Sequence, residues 1–116
     1  MSNINDYETG FCKTGDNLLR LADSLSHPLR LKILGILFEN RQYVSELART
    51  VNISRPLLYM HLRKLEAAEL IKGNHEISSD GKVMKYYEIL KFDLQITPEI
   101  LCRLSKSITE KQDNEK

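Results

Sequence analysis

The chain has no long apolar run, only two cysteines and a net charge of only +1, and the first two shortages each close off a class of protein. No stretch approaches the roughly 18 apolar residues of a membrane span, and the opening MSNINDYETGF lacks the basic and apolar parts of a secretion signal. A cytoplasmic protein with no membrane partner is expected. Cys12 and Cys102 are too few for a tetrahedral metal site within one chain. A Gly-rich phosphate loop, a nucleophile elbow and a paired-histidine zinc motif are all missing, so neither a catalytic residue nor a cofactor is assigned. What remains is 116 residues, 41% hydrophobic and 28% charged, which suits one small domain with a modest core.

What is present is concentrated in Val44 to Ile71, VSELARTVNISRPLLYMHLRKLEAAELI. Leu47, Ala48 and Val51 form one apolar stripe, Asn52 breaks it, and Ile53 reads as a buried turn residue before Ser54, whose hydroxyl suits a helix N-cap. Leu58, Leu62, Leu65 and Ala68 then recur at spacings of three or four, one face of a second helix. Arg55, Tyr59, Arg63 and Lys64 fall on the opposite face. A short helix, a tight turn and an amphipathic helix are what a helix-turn-helix needs to set its second helix into a major groove. Arg55 and Tyr59, one turn apart, are the first choices for reading bases, with Ser54, Arg63 and Lys64 as further DNA contacts on the same helix. The plain alternative is an antiparallel helix pair with a solvated basic face.

Ser78-Ser79-Asp80-Gly81-Lys82 is a cluster of turn formers between Lys72–Ile77 and the β-branched and aromatic run Val83–Leu90. Two strands joined this way make a hairpin. Directly after a recognition helix, a hairpin is the wing of a winged helix, with Lys82 and Lys85 placed to meet phosphates. Taken alone, it reads equally as a ribbon that only covers the core. The expected fold is mainly α with a small β-hairpin, a winged helix-turn-helix. Charge follows the same division. Between His27 and Lys91, 11 Lys or Arg stand against 7 Asp or Glu, while both flanks are slightly acidic. A basic surplus on the reading segment is what phosphate contact requires.

The run His27-Pro28-Leu29-Arg30-Leu31-Lys32-Ile33-Leu34, then Val44-Ser45-Glu46-Leu47-Ala48, then Ser54 with His61-Leu62, Leu65 and Leu70-Ile71, resembles the ArsR-type winged-helix transcriptional regulators of bacteria and archaea. The similarity spans about residues 17 to 90. It implies a homodimeric repressor that binds a palindromic operator in double-stranded DNA and is released by a signal. It also implies that Arg55, Leu57, Tyr59, His61 and Arg63 lie on or near the DNA-facing side. Leu57 and Met60 depart from the polar residues common at these family positions, so readout leans on Arg55, Tyr59 and apolar contact with thymine methyls. Many relatives hold a thiophilic metal through cysteines in the first helix of the helix-turn-helix, yet Tyr43 to Arg49 contains none. A second family site uses histidine on the C-terminal helix, and no histidine follows His75. Neither metal site carries over, and the effector stays unassigned.

The flanks read as partner helices. Leu18, Leu21, Ala22 and Leu25 make a stripe behind Asp16, read as an N-cap. Thr97-Pro98-Glu99 opens a second helix on which Ile100, Leu101, Leu104 and Ile108 share a face. Leu18, Leu21, Leu25, Ile100, Leu101, Leu104 and Ile108 are therefore expected at a two-fold dimer interface, the alternative being that both helices fold back on their own domain. The chain divides into a flexible segment 1–15, the winged domain with the first dimer helix 16–96, the C-terminal dimer helix 97–111 and a disordered tail 112–116. Cys12 and Cys102 read as a tail thiol and a buried helix thiol, or as a redox pair or half a thiolate site across the dimer. A different class of function, a winged-helix module that binds protein through Leu57 and Met60, is the other reading.

Overall fold

A computed structural model describes residues 12–109. The expectations for residues 1–11 and 110–116, including the end of the helix expected over 97–111, lie outside that range. The chain forms two compact units, one from residues 23–91 and one from its two ends, up to Ala22 and from Phe92 onward.

In the central unit, helix α1 (Gly15–Leu25) contributes its last turn. Then come α2 (Pro28–Glu39), strand β1 (Gln42–Tyr43), α3 (Val44–Val51), α4 (Arg55–Ala67), β2 (Ile71–Ile77) and β3 (Val83–Ile89). The core is formed by Ile33, Leu34 and Leu37 of α2, Val44, Leu47 and Ala48 of α3, Leu58, Leu62 and Leu65 of α4, and Leu70, Ile71 and Tyr87 from the sheet side. Helices α2, α3 and α4 each pack on the other two, and β2 runs against α4. Of the apolar positions read at helical spacing in this unit, Leu47, Ala48, Leu58, Leu62 and Leu65 are buried, while Val51 and Ala68 are half-buried. Ile53 is half-buried.

Local chemistry sets the boundaries. Each of the three prolines sits in the first turn of a helix, where its missing N–H costs nothing. His27 caps α2, its Nδ1 accepting from the Leu29 N–H at 3.1 Å. Ser54 caps α4 as expected, through the Leu57 N–H. Helix α3 ends on Asn52 in the left-handed conformation (φ 59°), one of the few side chains that tolerate it. Helix α4 ends on a Schellman pair of bonds, Leu70 N–H to Leu65 C=O and Glu69 N–H to Glu66 C=O, which forces Glu69 to φ 63°.

The sheet is antiparallel in the order β1-β3-β2. The two-residue β1 has no counterpart in the sequence reading, which held only the hairpin. It exists because Gln42 and Tyr43 pair with Tyr87 and Tyr86. The hairpin turn is closed by Ser78 N–H to Lys82 C=O and Gly81 N–H to Ser78 C=O, with Gly81 at φ 89°. A positive φ there is why glycine stands at the tip.

In the terminal unit, α1 begins at Gly15 and is capped by Thr14, not Asp16. The Thr14 hydroxyl accepts from the Asn17 N–H while the Asn17 side chain accepts from the Thr14 N–H. Asp16 instead accepts from the backbone N–H of Thr109. Helix α5 (Pro98–Ser105) starts on the Thr97 cap, as read. It stops earlier than expected, because Ser105 and Ser107 donate back to the carbonyls of Cys102 and Leu104 and turn the chain. Ile108 therefore lies beyond the helix. The two ends of the chain meet within one protomer, where the Gly15 N–H donates to Ser107 Oγ at 2.8 Å.

Candidate nucleic-acid interface

Helix α4 turns its leucines inward and leaves Arg55, Pro56, Leu57, Met60, Arg63 and Lys64 exposed. Its first turn holds a cation and no acid, the reverse of what a helix N-terminus prefers for its own stability. Arg55 there adds to the positive end of the dipole, which favours an anion. Beside it, a cleft of about 270 Å³ is lined by Tyr43, Val44 and Ser45 from β1 and α3, Arg55 and Tyr59 from α4, and Val83, Met84 and Lys85 from the wing. Thus Arg55, Tyr59 and Lys85, three residues picked from the sequence, converge on one opening.

The wing is fastened in place by its outer face. Tyr43 donates its hydroxyl to the Glu76 carboxylate, Arg41 reaches the same carboxylate at 3.5 Å, and Arg41 also lies 4.1 Å over the Tyr86 ring. Accepting from Tyr43, Glu76 raises that phenol above its ordinary range. On the inner face, Lys85 lies over the ring of Tyr87, 5.2 Å from its centre, and hydrogen bonding to that phenol raises the lysine above its ordinary value. Gly73 makes room for this, since a Cβ there would stand 2.9 Å from the Tyr87 ring. Lys82 differs: it is exposed at the tip, and the turn uses only its backbone.

Two residues read as DNA-facing have partners elsewhere in the unit. His61 is half-buried, with Nδ1 3.0 Å from the Arg30 guanidinium and its ring 4.7 Å from that of His27. Burial first, then the nearby His27 and Arg30, lower its pKa. Lys64 pairs with Asp23 at 2.7 Å. Arg30 was not singled out, although it is buried and donates to the Ser24 and Asp23 carbonyls. Its place in the HPLR run was its only signal.

Among the residues read as dimer contacts, Leu21 and Leu104 are buried within the chain, Leu18, Leu25 and Ile100 are half-buried, and Leu101 and Ile108 are exposed. The cysteines are the reverse of the plain expectation, with Cys12 buried and Cys102 exposed. Burial pushes the Cys12 thiol up, which disfavours the reactive thiolate.

A short helix, a left-handed turn, a longer helix with a cationic start and a hairpin pinned beside it define a winged helix-turn-helix DNA-binding domain. Residues 27–72 match the model of the family described as "Bacterial regulatory protein, arsR family". An uncharacterized HTH-type transcriptional regulator of Methanocaldococcus jannaschii is 34% identical over 88 residues, 76% of this chain and 92% of that protein. The homodimeric winged helix-turn-helix domain of a possible ArsR-family regulator from Mycobacterium bovis superposes with a TM-score of 0.55 at 21% identity, over 77% of this chain and 71% of that one. The transcriptional repressor BigR of Xylella fastidiosa gives 0.56 at 22%, over 78% and 83%. The chain belongs to the ArsR family of transcriptional regulators, a family of DNA-binding proteins and not of enzymes. Among the described residues no helix is long and apolar enough to cross a membrane.

Proposed function

We propose that the chain is a cytoplasmic, homodimeric repressor that binds a palindromic operator through Ser54, Arg55, Leu57, Tyr59, Arg63 and the wing lysines Lys82 and Lys85. The observation that carries this reading is the convergence of Arg55, Tyr59 and Lys85 on one cleft beside the exposed face of α4. A DNA strand passing between recognition helix and wing would meet the cations of Arg55 and Lys85 there and the phenolic hydroxyl of Tyr59. Leu101 and Ile108, exposed near the C-terminal end, supply apolar surface that a second copy would cover. The M. bovis relative is described as homodimeric and the X. fastidiosa one as a repressor, which agrees with both halves of the proposal.

The test is binding to the DNA upstream of the protein's own gene, with the mass of the free protein measured by light scattering. A dimer that binds this DNA more tightly than random duplex, and whose presence lowers transcription from it, is expected. A monomer at every workable concentration would remove the dimer. Equal affinity for random duplex would remove the operator.

A further inference from the structure

The N-terminal half of the recognition helix presents an apolar centre between polar flanks. Leu58, Leu62 and Leu65 are fully buried and define its inner line. At 3.6 residues per turn, the line opposite runs through Pro56, Met60, Arg63 and Ala67, and all four are exposed. Met60 is 53% exposed, and Leu57 beside it 49%. Hydrogen-bonding side chains stand to either side, with Tyr59 and Arg55 toward the wing cleft and Lys64 toward Asp23. In the two turns that enter a groove first, the position pointing straight outward carries a thioether, not a donor or acceptor.

Several features name the occupant of this face. Arg55 and Arg63 stand on the same helix, Lys85 lines the neighbouring cleft, Lys82 tips the wing, and the first turn of α4 has no acid. A polyanion fits that surround, whereas a greasy protein helix gains nothing from it. The major-groove edge of duplex DNA displays one apolar group, the C5-methyl of thymine. We propose that Met60 and Leu57 are specificity-determining residues that pack on thymine methyls, so that each half-site carries T·A pairs opposite the first two turns of α4. This rests on the operator-binding function proposed above. Lys82 and Lys85 then supply affinity and register, and the two apolar side chains share the choice of sequence with Arg55.

The experiment isolates one methyl group. Duplexes are selected from a random library with the full-length chain, and each consensus thymine is replaced singly by deoxyuridine, which keeps every hydrogen bond and removes only the methyl. Binding by the native protein is expected to weaken about fourfold at each contacted position, the worth of one buried methylene-sized group. Met60→Ala and Leu57→Ala, both at half-exposed sites and so expected to melt like the native protein, should each lose the discrimination at their own position. Deoxyuridine tolerated at every position would overturn the proposal while leaving operator binding intact. So would alanine variants that bind the selected duplex as tightly as the native chain, the result expected if this face docks a protein. Failure of the library to enrich any sequence would overturn both this inference and the operator function.

Discussion

The guanidinium of Arg30 stands 3.0 Å from Nδ1 of His61 and so ties α2 to the recognition helix. Arginine has five donors and no acceptor, so Nδ1 must be the bare nitrogen and the imidazole proton sits on Nε2. Arg30 is itself buried and also donates to the carbonyls of Ser24 and Asp23. This contact between α2 and α4 therefore requires His61 to be neutral.

Acid should loosen this contact. A proton on His61 would face Arg30, with His27 alongside and Lys64 on the same helix, and Asp23, whose backbone carbonyl Arg30 also reaches, has its carboxylate paired with Lys64. The folded chain holds His61 below its ordinary value of 6.5, chiefly through burial. The unfolded chain thus takes up the proton at higher pH, so the stability from the neutral ring is complete above that value and is lost progressively as pH falls from it through the lower value of the folded chain. Thermal melts from pH 7.5 to 5 should show a declining Tm, and His61→Gln should flatten that decline. An unchanged slope in the variant would assign the effect elsewhere. Asp23, held low by Lys64, acts in a separate window, its contribution being lost only below its ordinary 3.8.

Periodicity made most of the fold legible, since Leu47, Leu58, Leu62 and Leu65 announce their faces and Ser54 and Thr97 their caps. Strand β1 was hidden because nothing in Gln-Tyr specifies pairing; its partners, Tyr87 and Tyr86, lie more than forty residues away. Thr14 and Asp16 are both good capping types two residues apart, and the choice falls on Thr14 because Asn17 answers it. Within the site, Arg55 and Tyr59 were readable from helical spacing. The inward turn of Lys85 was not, because strand neighbours alternate faces and a one-residue change of register would have put it outside. Cys12 is buried by tertiary packing that no local pattern records.

Glu69 is the backbone's weak point. It occupies φ 63° at the end of α4, where a Cβ crowds the neighbouring carbonyl and glycine is the usual solution. Glu69→Gly should stabilise the protein by about 0.5–1 kcal/mol, with the gain in chain freedom offsetting part of the relieved strain. Chemical denaturation of the two proteins would show it as a raised midpoint at unchanged m-value. A fall in stability would mean that the Glu69 side chain contributes more than its backbone costs.

Gly15 allows the two ends of the chain to meet. A Cβ added there would run into the Leu104 carbonyl oxygen and the Ile108 side chain, and the first of these is backbone that cannot swing aside. Gly15→Ala should therefore cost about 1–3 kcal/mol, as overpacking does, despite the better helix propensity of alanine. Ser107→Ala removes the hydrogen bond to the Gly15 N–H together with the one to the Leu104 carbonyl and should cost about 1–3 kcal/mol. If Gly15→Ala melted at or above the native temperature, the close approach would not exist in solution.

Arg55 and Lys82 should fail in different ways when removed. Arg55 stands in the first turn of α4, beside Tyr59 and Lys85, where a planar guanidinium can address a base edge. Lys82 is exposed at the wing tip, beyond a turn built from backbone and Ser78, and can reach only phosphate. Loss of a bidentate base contact costs about 1–3 kcal/mol at one position of the site, so Arg55→Ala should weaken the operator and spare random duplex. Loss of one phosphate contact should weaken all sequences alike and reduce the slope of log affinity against log salt by about one. Titrations of both variants on operator and random DNA across several salt concentrations separate the two roles. Equal losses for Arg55→Ala on both duplexes would demote it to a phosphate contact and leave the choice of sequence to Tyr59, Leu57 and Met60.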